Sequence, residues 1–75
     1  MGKRPYILIQ IEPYIHEQLI EKNEVVITHG KDKPCPPVKL IDELGDEFEA
    51  EIKYLDTNSI KVKMNKSIKF TAYVY

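Results

Sequence analysis

The sequence predicts a single small α+β domain, and three observations lead to that fold class. A segment with helical periodicity lies between two β-rich runs near the N-terminus, and the C-terminal third alternates apolar and polar residues. The 75 residues suffice for one domain, 1–75, around one core. We therefore expect β-α-β, then a Pro-rich connector with a short helical turn, then a three-stranded antiparallel meander. Together these would form a twisted sheet or small open barrel packed on one helix.

Two β-rich runs supply the first pair of predicted strands. Residues 6–11, YILIQI, follow a flexible N-terminus of residues 1–4 and are apolar on both faces, which suits a central strand. Residues 24–28, EVVIT, form the second strand, and Gly30 ends it.

Between these runs the sequence predicts a helix of about ten residues. Pro13 suits the first helical position, because its φ is already fixed and the missing N–H would be unpaired there anyway. Ile15, Leu19 and Ile20 then share one helical face, and residues 22–23 give the end signal.

Residues 29–37, HGKDKPCPP, are predicted to be a stiff connector because proline fixes the backbone and removes donors. Residues 37–44 follow, with proline at the start and Gly45 just beyond the end. Val38, Ile41 and Leu44 recur at helical spacing. This pattern favours one or two helical turns, and a short strand is the alternative.

The C-terminal third predicts three strands with one buried face, joined by turns around residues 56–58 and 65–67. Directly paired residues must have numbers with an even sum if both apolar sets are to lie on one face. The residues predicted to face the core are Phe48, Ala50, Ile52, Tyr54, Ile60, Val62, Met64, Ile68, Phe70, Ala72 and Val74.

Composition excludes several classes of protein. Eleven basic and twelve acidic residues give a net charge of −1, so no overall field attracts nucleic acid or anionic lipid. No apolar run approaches the roughly 20 residues of a membrane span. The single cysteine cannot form an intramolecular disulfide, and the N-terminus does not resemble a signal peptide. These features predict a cytoplasmic protein without a membrane partner.

No group of residues predicts catalysis, a metal site or a cofactor. His16, His29, Asp32 and Cys35 are the available metal ligands, but the close Cys or His pairs of zinc sites are missing. Cys35 lies between prolines, without the base or helix dipole that activates a thiol. We expect a protein that is not an enzyme. An enzyme would have to bring the two histidines, Cys35 and a carboxylate together.

Charge is segregated along the C-terminal half. Residues 42–51 carry six acidic side chains and no basic one, whereas residues 53–69 carry five lysines and one acidic side chain. Ordinary cross-strand pairing of Glu with Lys accounts for this pattern. The alternative is a face that binds RNA or single-stranded DNA, where lysine neutralises phosphate and tyrosine stacks on bases. The residues assigned to partner binding, whether protein or nucleic acid, are Lys61, Lys63, Lys69, Tyr73 and Tyr75.

The end of the chain supports the leading hypothesis. If the strand that carries Tyr73 and Tyr75 is a sheet edge, it offers a place for another chain to pair. The alternative is that this C-terminal strand is covered by other parts of the chain or closes a barrel. We therefore predict a small non-enzymatic interaction module, such as an accessory, regulatory or inhibitor protein. It would bind a protein partner or a second copy through the outer face of the meander and the C-terminal edge strand.

One stretch resembles a known family. Residues 6–27, YILIQIEPYIHEQLIEKNEVVI, resemble the opening strand, Pro-led helix and second strand of ASCH and other PUA-like domains. LGDEFEAEI, residues 44–52, is similar to the Gly-Asp entry to a strand in many small barrels. The resemblance implies a pseudo-barrel with RNA as a ligand. The chain departs from the family in being shorter and in lacking the charged residues that usually follow the second strand.

Overall fold

The computed structural model describes residues 12–75 and shows one antiparallel β-sheet. Its strands are β1 (Tyr14–Thr28), β2 (Val38–Asp42), β3 (Glu47–Phe48), β4 (Glu51–Asp56) and β5 (Ser59–Val74). The described part of the chain contains no helix, so the predicted α+β class, with a sheet packed on a helix, is wrong and the fold is all-β. The strand predicted at 6–11 and the flexible residues 1–4 lie outside the described residues.

β5 is the centre of the sheet, whose strand order is β1-β5-β2-β3, with β4 also paired to β5. β1 runs along the whole of one side of β5. On the other side, β2 pairs with Phe70–Val74 and β4 pairs with the beginning of β5. The two long strands have 15 and 16 residues, which at about 3.3 Å per residue accounts for the longest dimension of 54 Å.

The predicted helix after Pro13 is wrong, because those residues form the first half of β1. Its expected apolar face does not pack on a core, since Leu19 and Ile20 are 74% and 69% exposed. Tyr14 instead registers with Val74, at the far end of the chain. Pairing with a distant strand satisfies the backbone here, and such tertiary pairing overrides a local helical pattern.

The helical turn favoured for residues 37–44 is also wrong, and the strand alternative is correct. β2 pairs with β5 on one side and with β3 on the other. The Asp42 carboxylate then accepts backbone hydrogen bonds from Leu44 and Asp46, at 2.9 and 3.0 Å. Gly45, with φ of 88°, lies within this β2–β3 turn and does not end a helix.

The predicted three-stranded meander is replaced by two short strands and one long one. Residues 65–67 are not a turn, because β5 continues through them. The turn at Thr57-Asn58 does join two strands, β4 and β5. Glu51 registers with Lys63 there, and their numbers have the even sum that a shared face requires.

The predicted buried face is confirmed. The buried apolar residues are Val25, Ile27, Leu40, Ile60, Val62, Phe70, Ala72 and Val74. Phe48, Ala50, Ile52, Met64 and Ile68 are partly buried and pack against them, as alternation predicts. Phe48 meets Phe70 edge to face, with ring centroids 6.2 Å apart. Tyr54 is the exception in the predicted set, since it is 39% exposed.

The Pro-rich segment 29–37 docks on the β4–β5 turn. The backbone N–H groups of His29 and Asp32 donate to the carbonyl and the side-chain Oδ1 of Asn58, each at 2.8 Å. Asp32 has a φ of 55°, a left-handed conformation that Asp tolerates better than most residues. At the other end of the segment, the Tyr54 hydroxyl donates to the carbonyl of Pro36, which is buried. The Lys33 N–H also donates to the Thr57 carbonyl at 2.8 Å, so both turn residues hold the start of the connector against the sheet.

Replacing Asn58 with alanine is expected to lower the free energy of unfolding by about 1 kcal/mol, because the Asp32 N–H loses its protein acceptor. The midpoint of urea denaturation measures this loss. Asn65→Ala is a matched control at an exposed position of β5 and is expected to change stability by less than about 0.5 kcal/mol. Equal losses in the two variants would contradict the assigned role of Asn58.

Candidate interaction site

The five residues predicted to bind a partner follow one strand and do not converge. Lys61 and Tyr73 are separated by twelve positions of β5, which corresponds to about 40 Å of extended chain. Lys63 and Lys69 are exposed, whereas Tyr73 and Tyr75 are partly buried.

Acidic side chains surround the lysines at the start of β5. The Lys61 Nζ lies 3.7 Å from a carboxylate oxygen of Glu24. Lys63 registers with Glu24 on β1 and with Glu51 on β4. These contacts are the ordinary cross-strand pairing of Glu with Lys, the alternative to a face that binds nucleic acid.

The C-terminal strand is not an edge, so that part of the prediction is wrong. Tyr73 registers with Ile15 on β1 and with Lys39 on β2. Tyr75 is held through its backbone, since its N–H donates to the Pro37 carbonyl at 2.9 Å and its own carbonyl accepts from the Lys33 Nζ at 2.7 Å. A strand paired on both sides offers no open backbone edge to another chain.

The long edge strand of residues 12–75 is β1, which pairs only with β5 there. A bulge interrupts this pairing, because β1 advances from Gln18 to Lys22 while β5 moves only from Phe70 to Ile68. Leu19 and Ile20 lie in the bulge and are 74% and 69% exposed. We call these two side chains the knob.

Two side-chain hydrogen bonds, one following the other, hold the backbone of the knob in place. The His16 Nε2 donates to the Gln18 Oε1 at 2.8 Å, and the Gln18 Nε2 donates to the Ile20 carbonyl at 2.9 Å. The His16 ring also lies beside the buried Phe70, with ring centroids 6.3 Å apart. The knob is therefore tied to the core, and a partner that covers it has less ordering to impose on it.

A cleft of about 410 Å³ opens on the opposite side of β5. The residues that line this cleft are Asp42, Glu43, Leu44, Phe48, Lys66, Ile68 and Lys69. Phe48 and Ile68 also pack against the core, while Leu44 is 83% exposed. The cleft and the knob lie at the same level of the sheet, because Phe70 registers with both Gln18 and Asp42.

Both signs of charge border the cleft. Lys66 and Lys69 are exposed on the β5 side, and Glu43 is exposed on the β2 side. A second hollow, of about 380 Å³, adjoins the cleft and shares Phe48, Lys66 and Ile68 with it. The combination of apolar surface with lysines and carboxylates suits a polypeptide segment that carries aliphatic side chains beside charged ones.

The candidate metal ligands His16, His29, Asp32 and Cys35 are not gathered into a site. Residues 12–75 contain no group of three or more His, Cys, Asp or Glu side chains that could hold a metal ion. Cys35 is exposed, whereas His29 is buried. The Nδ1 atom of His29 accepts from the Lys31 N–H at 3.0 Å, which leaves its proton on Nε2.

Sequence reasoning missed the knob and the cleft. It assigned Leu19, Ile20 and Leu44 to buried helical faces, since apolar residues are usually placed inside. The available signal was the polar run at residues 21–24, which separates two β-rich stretches and is compatible with an irregular strand.

Comparison with known proteins finds no matching family, no similar characterised protein and no similar solved structure. The part of the chain that the structure describes also has no helix long and apolar enough to cross a membrane.

Proposed function

We propose that this protein is a non-enzymatic interaction module that binds another polypeptide through the knob on the edge of β1. The observation that carries the proposal is the exposure of Leu19 and Ile20, 74% and 69%, on a bulge that hydrogen bonds hold in place. Full burial of an aliphatic side chain is worth about 1.5–3 kcal/mol. Covering both side chains therefore gives a partner a substantial part of the free energy of binding.

Contact through side chains is favoured over extension of the sheet. Edge strands that carry bulges and charges resist pairing with another strand. β1 has both features, since its bulge contains exposed Glu21 and is flanked by exposed Glu17, Lys22 and Glu24. A partner is therefore expected to receive the knob in an apolar depression.

The proposal keeps the class of function predicted from the sequence, an accessory, regulatory or inhibitor protein, and moves the contact surface. Tyr73 lies in β5, which is paired on both sides, and the backbone of Tyr75 is hydrogen-bonded to Pro37. The contact surface is instead the knob, whose Leu19 and Ile20 are 74% and 69% exposed on a strand with a partner on one side.

Affinity capture tests the proposal. Tagged protein is incubated with a lysate of its source cells to which an untagged copy of the chain has been added, and bound polypeptides are quantified by mass spectrometry. At least one polypeptide, another protein or the untagged copy, should be retained by the natural sequence and reduced tenfold or more by Leu19→Lys with Ile20→Lys. Val26→Lys is the matched control, since it makes the same change at an exposed aliphatic residue of the same strand. Absence of any knob-dependent polypeptide would contradict the proposal.

Nucleic-acid binding through Lys61, Lys63 and Lys69 is the second candidate. Lys63 and Lys69 flank residues 64–68 of β5, where the register with β1 shifts, and Lys66 between them lines both the cleft and the second hollow. Three phosphate contacts to a single strand predict affinity about 20-fold lower at 200 mM than at 50 mM salt. Titration of a labelled single-stranded RNA at both salt concentrations measures this, and binding without salt dependence, or no binding, rejects the candidate.

A further inference from the structure

We propose that the partner is a second copy of this chain, whose cleft receives the knob of the first, so that copies join head to tail. The inference rests on the proposed function, because it names the partner of the same knob. It also assigns a role to the cleft formed by residues 42–48 and 66–69, which would be the binding site for the knob.

The two surfaces match in apolar character. Leu19 and Ile20 are consecutive and largely exposed aliphatic residues, and the cleft is lined by Leu44, Phe48 and Ile68. A volume of about 410 Å³ lies within the range of about 300–1,000 Å³ typical of ligand pockets. The cleft is therefore large enough to receive aliphatic side chains.

The charges beside the two surfaces are also complementary. Glu21 and Lys22 follow the knob and are both exposed. The cleft has Lys66 and Lys69 on its β5 side, opposite Asp42 and Glu43 on its β2 side. Glu21 can face the lysines while Lys22 faces the carboxylates, which selects one orientation and opposes the reverse one.

The position of the two surfaces decides the kind of assembly. Gln18 and Asp42 flank Phe70 from opposite sides, so the knob and the cleft lie on opposite sides of β5 at one level. An interface that joins two different surfaces is heterologous, and it propagates as an open chain unless the rotation closes a ring. A symmetric contact between two knobs would leave the cleft unused.

Sedimentation velocity of the purified protein between about 10 µM and 1 mM tests this assembly. The natural sequence is expected to grow in mean mass with concentration beyond a dimer. Leu19→Lys with Ile20→Lys removes the knob, and Leu44→Lys, at an 83% exposed residue, blocks the cleft. Each variant alone should be monomeric. An equimolar mixture should form dimers and nothing larger, because one intact knob meets one intact cleft.

Two further variants test the charges and the specificity. Glu21→Lys should weaken association at least tenfold, and Lys66→Glu with Lys69→Glu should restore the association of Glu21→Lys. Val26→Lys should assemble like the natural sequence, because Val26 lies outside the knob. Circular dichroism confirms the fold of each variant.

The outcomes separate this inference from the proposed function. A natural sequence that assembles while the mixture of variants does not form dimers has a symmetric interface, which overturns the head-to-tail arrangement. A natural sequence that stays monomeric at 1 mM overturns self-association altogether. The proposed function survives either result if capture identifies a polypeptide that depends on the knob, whether a different protein or the untagged copy, and it fails with the inference if capture identifies none.

Discussion

Thr71→Pro is expected to lower the free energy of unfolding by about 3 kcal/mol or more, because Thr71 lies in the central strand. It registers with Glu17 on β1 and with Ile41 on β2. Proline has no N–H and fixes φ near −65°, far from the extended value of about −140°. Since β5 has a partner on each side here, a hydrogen bond of the sheet is lost whichever way the N–H of residue 71 points. Urea denaturation followed by far-ultraviolet circular dichroism measures the change.

Thr71→Val is the control for this substitution. It keeps the β-branched shape and the backbone N–H, so we expect stability within about 0.5 kcal/mol of the natural sequence. A loss of less than about 1 kcal/mol in Thr71→Pro would instead indicate an edge strand, where proline is tolerated. That result would support the sequence prediction that the C-terminal strand is an edge strand, and it would contradict the observed strand order.

The buried face could be predicted because it depends on local information. Successive side chains of a strand point to opposite faces, so the spacing of two between Ile60 and Val62, or between Ala72 and Val74, places each pair on one side without knowledge of the partner strand. The prediction survives even though the predicted bounds and pairing of the strands were wrong. An incorrect turn at residues 65–67 does not disturb it, since Met64 and Ile68 keep the same parity.

The order of strands could not be predicted in the same way. β1 pairs with residues at the far end of the chain, and nothing within Tyr14–Thr28 identifies that partner. The spacing of Ile15, Leu19 and Ile20 fits a helix, and only the pairing decides against it. The polar stretch at 65–67 is likewise compatible with a turn or with an irregular strand, and the partner strands distinguish them.

The candidate site depends on the same missing information. Leu19 and Ile20 become a knob only because β1 is an edge strand with a bulge at that point. The cleft forms where β2 ends beside Phe70 and the next partner of β5, β4, begins beside Lys63. Both features arise where pairing is interrupted, and an interruption of pairing leaves only a weak trace in a single sequence.

Ile60→Ala is expected to lower the free energy of unfolding by about 3 kcal/mol through a cavity in the core. Ile60 has no exposed surface and registers with Ile27 on β1 and with Tyr54 on β4. All three neighbouring strands are tied together at this level, so the side chains around the cavity have little freedom to move into it. For a domain of this size, 1 kcal/mol corresponds to about 4–8 °C, so calorimetry should show a melting temperature lower by about 12–24 °C.

Ile15→Ala removes the same atoms from β1 at a position that is 51% exposed. The free energy of unfolding is expected to fall by less than about 1 kcal/mol, since the side chain makes fewer contacts and solvent fills the space left behind. The two variants remove the same atoms from a buried and from a half-exposed position, so the comparison measures the contribution of the buried face. Similar melting temperatures for the two would show that the face built from Ile27, Ile60 and Val62 is not the core, and the assignment of inner and outer residues along β5 would have to be reversed.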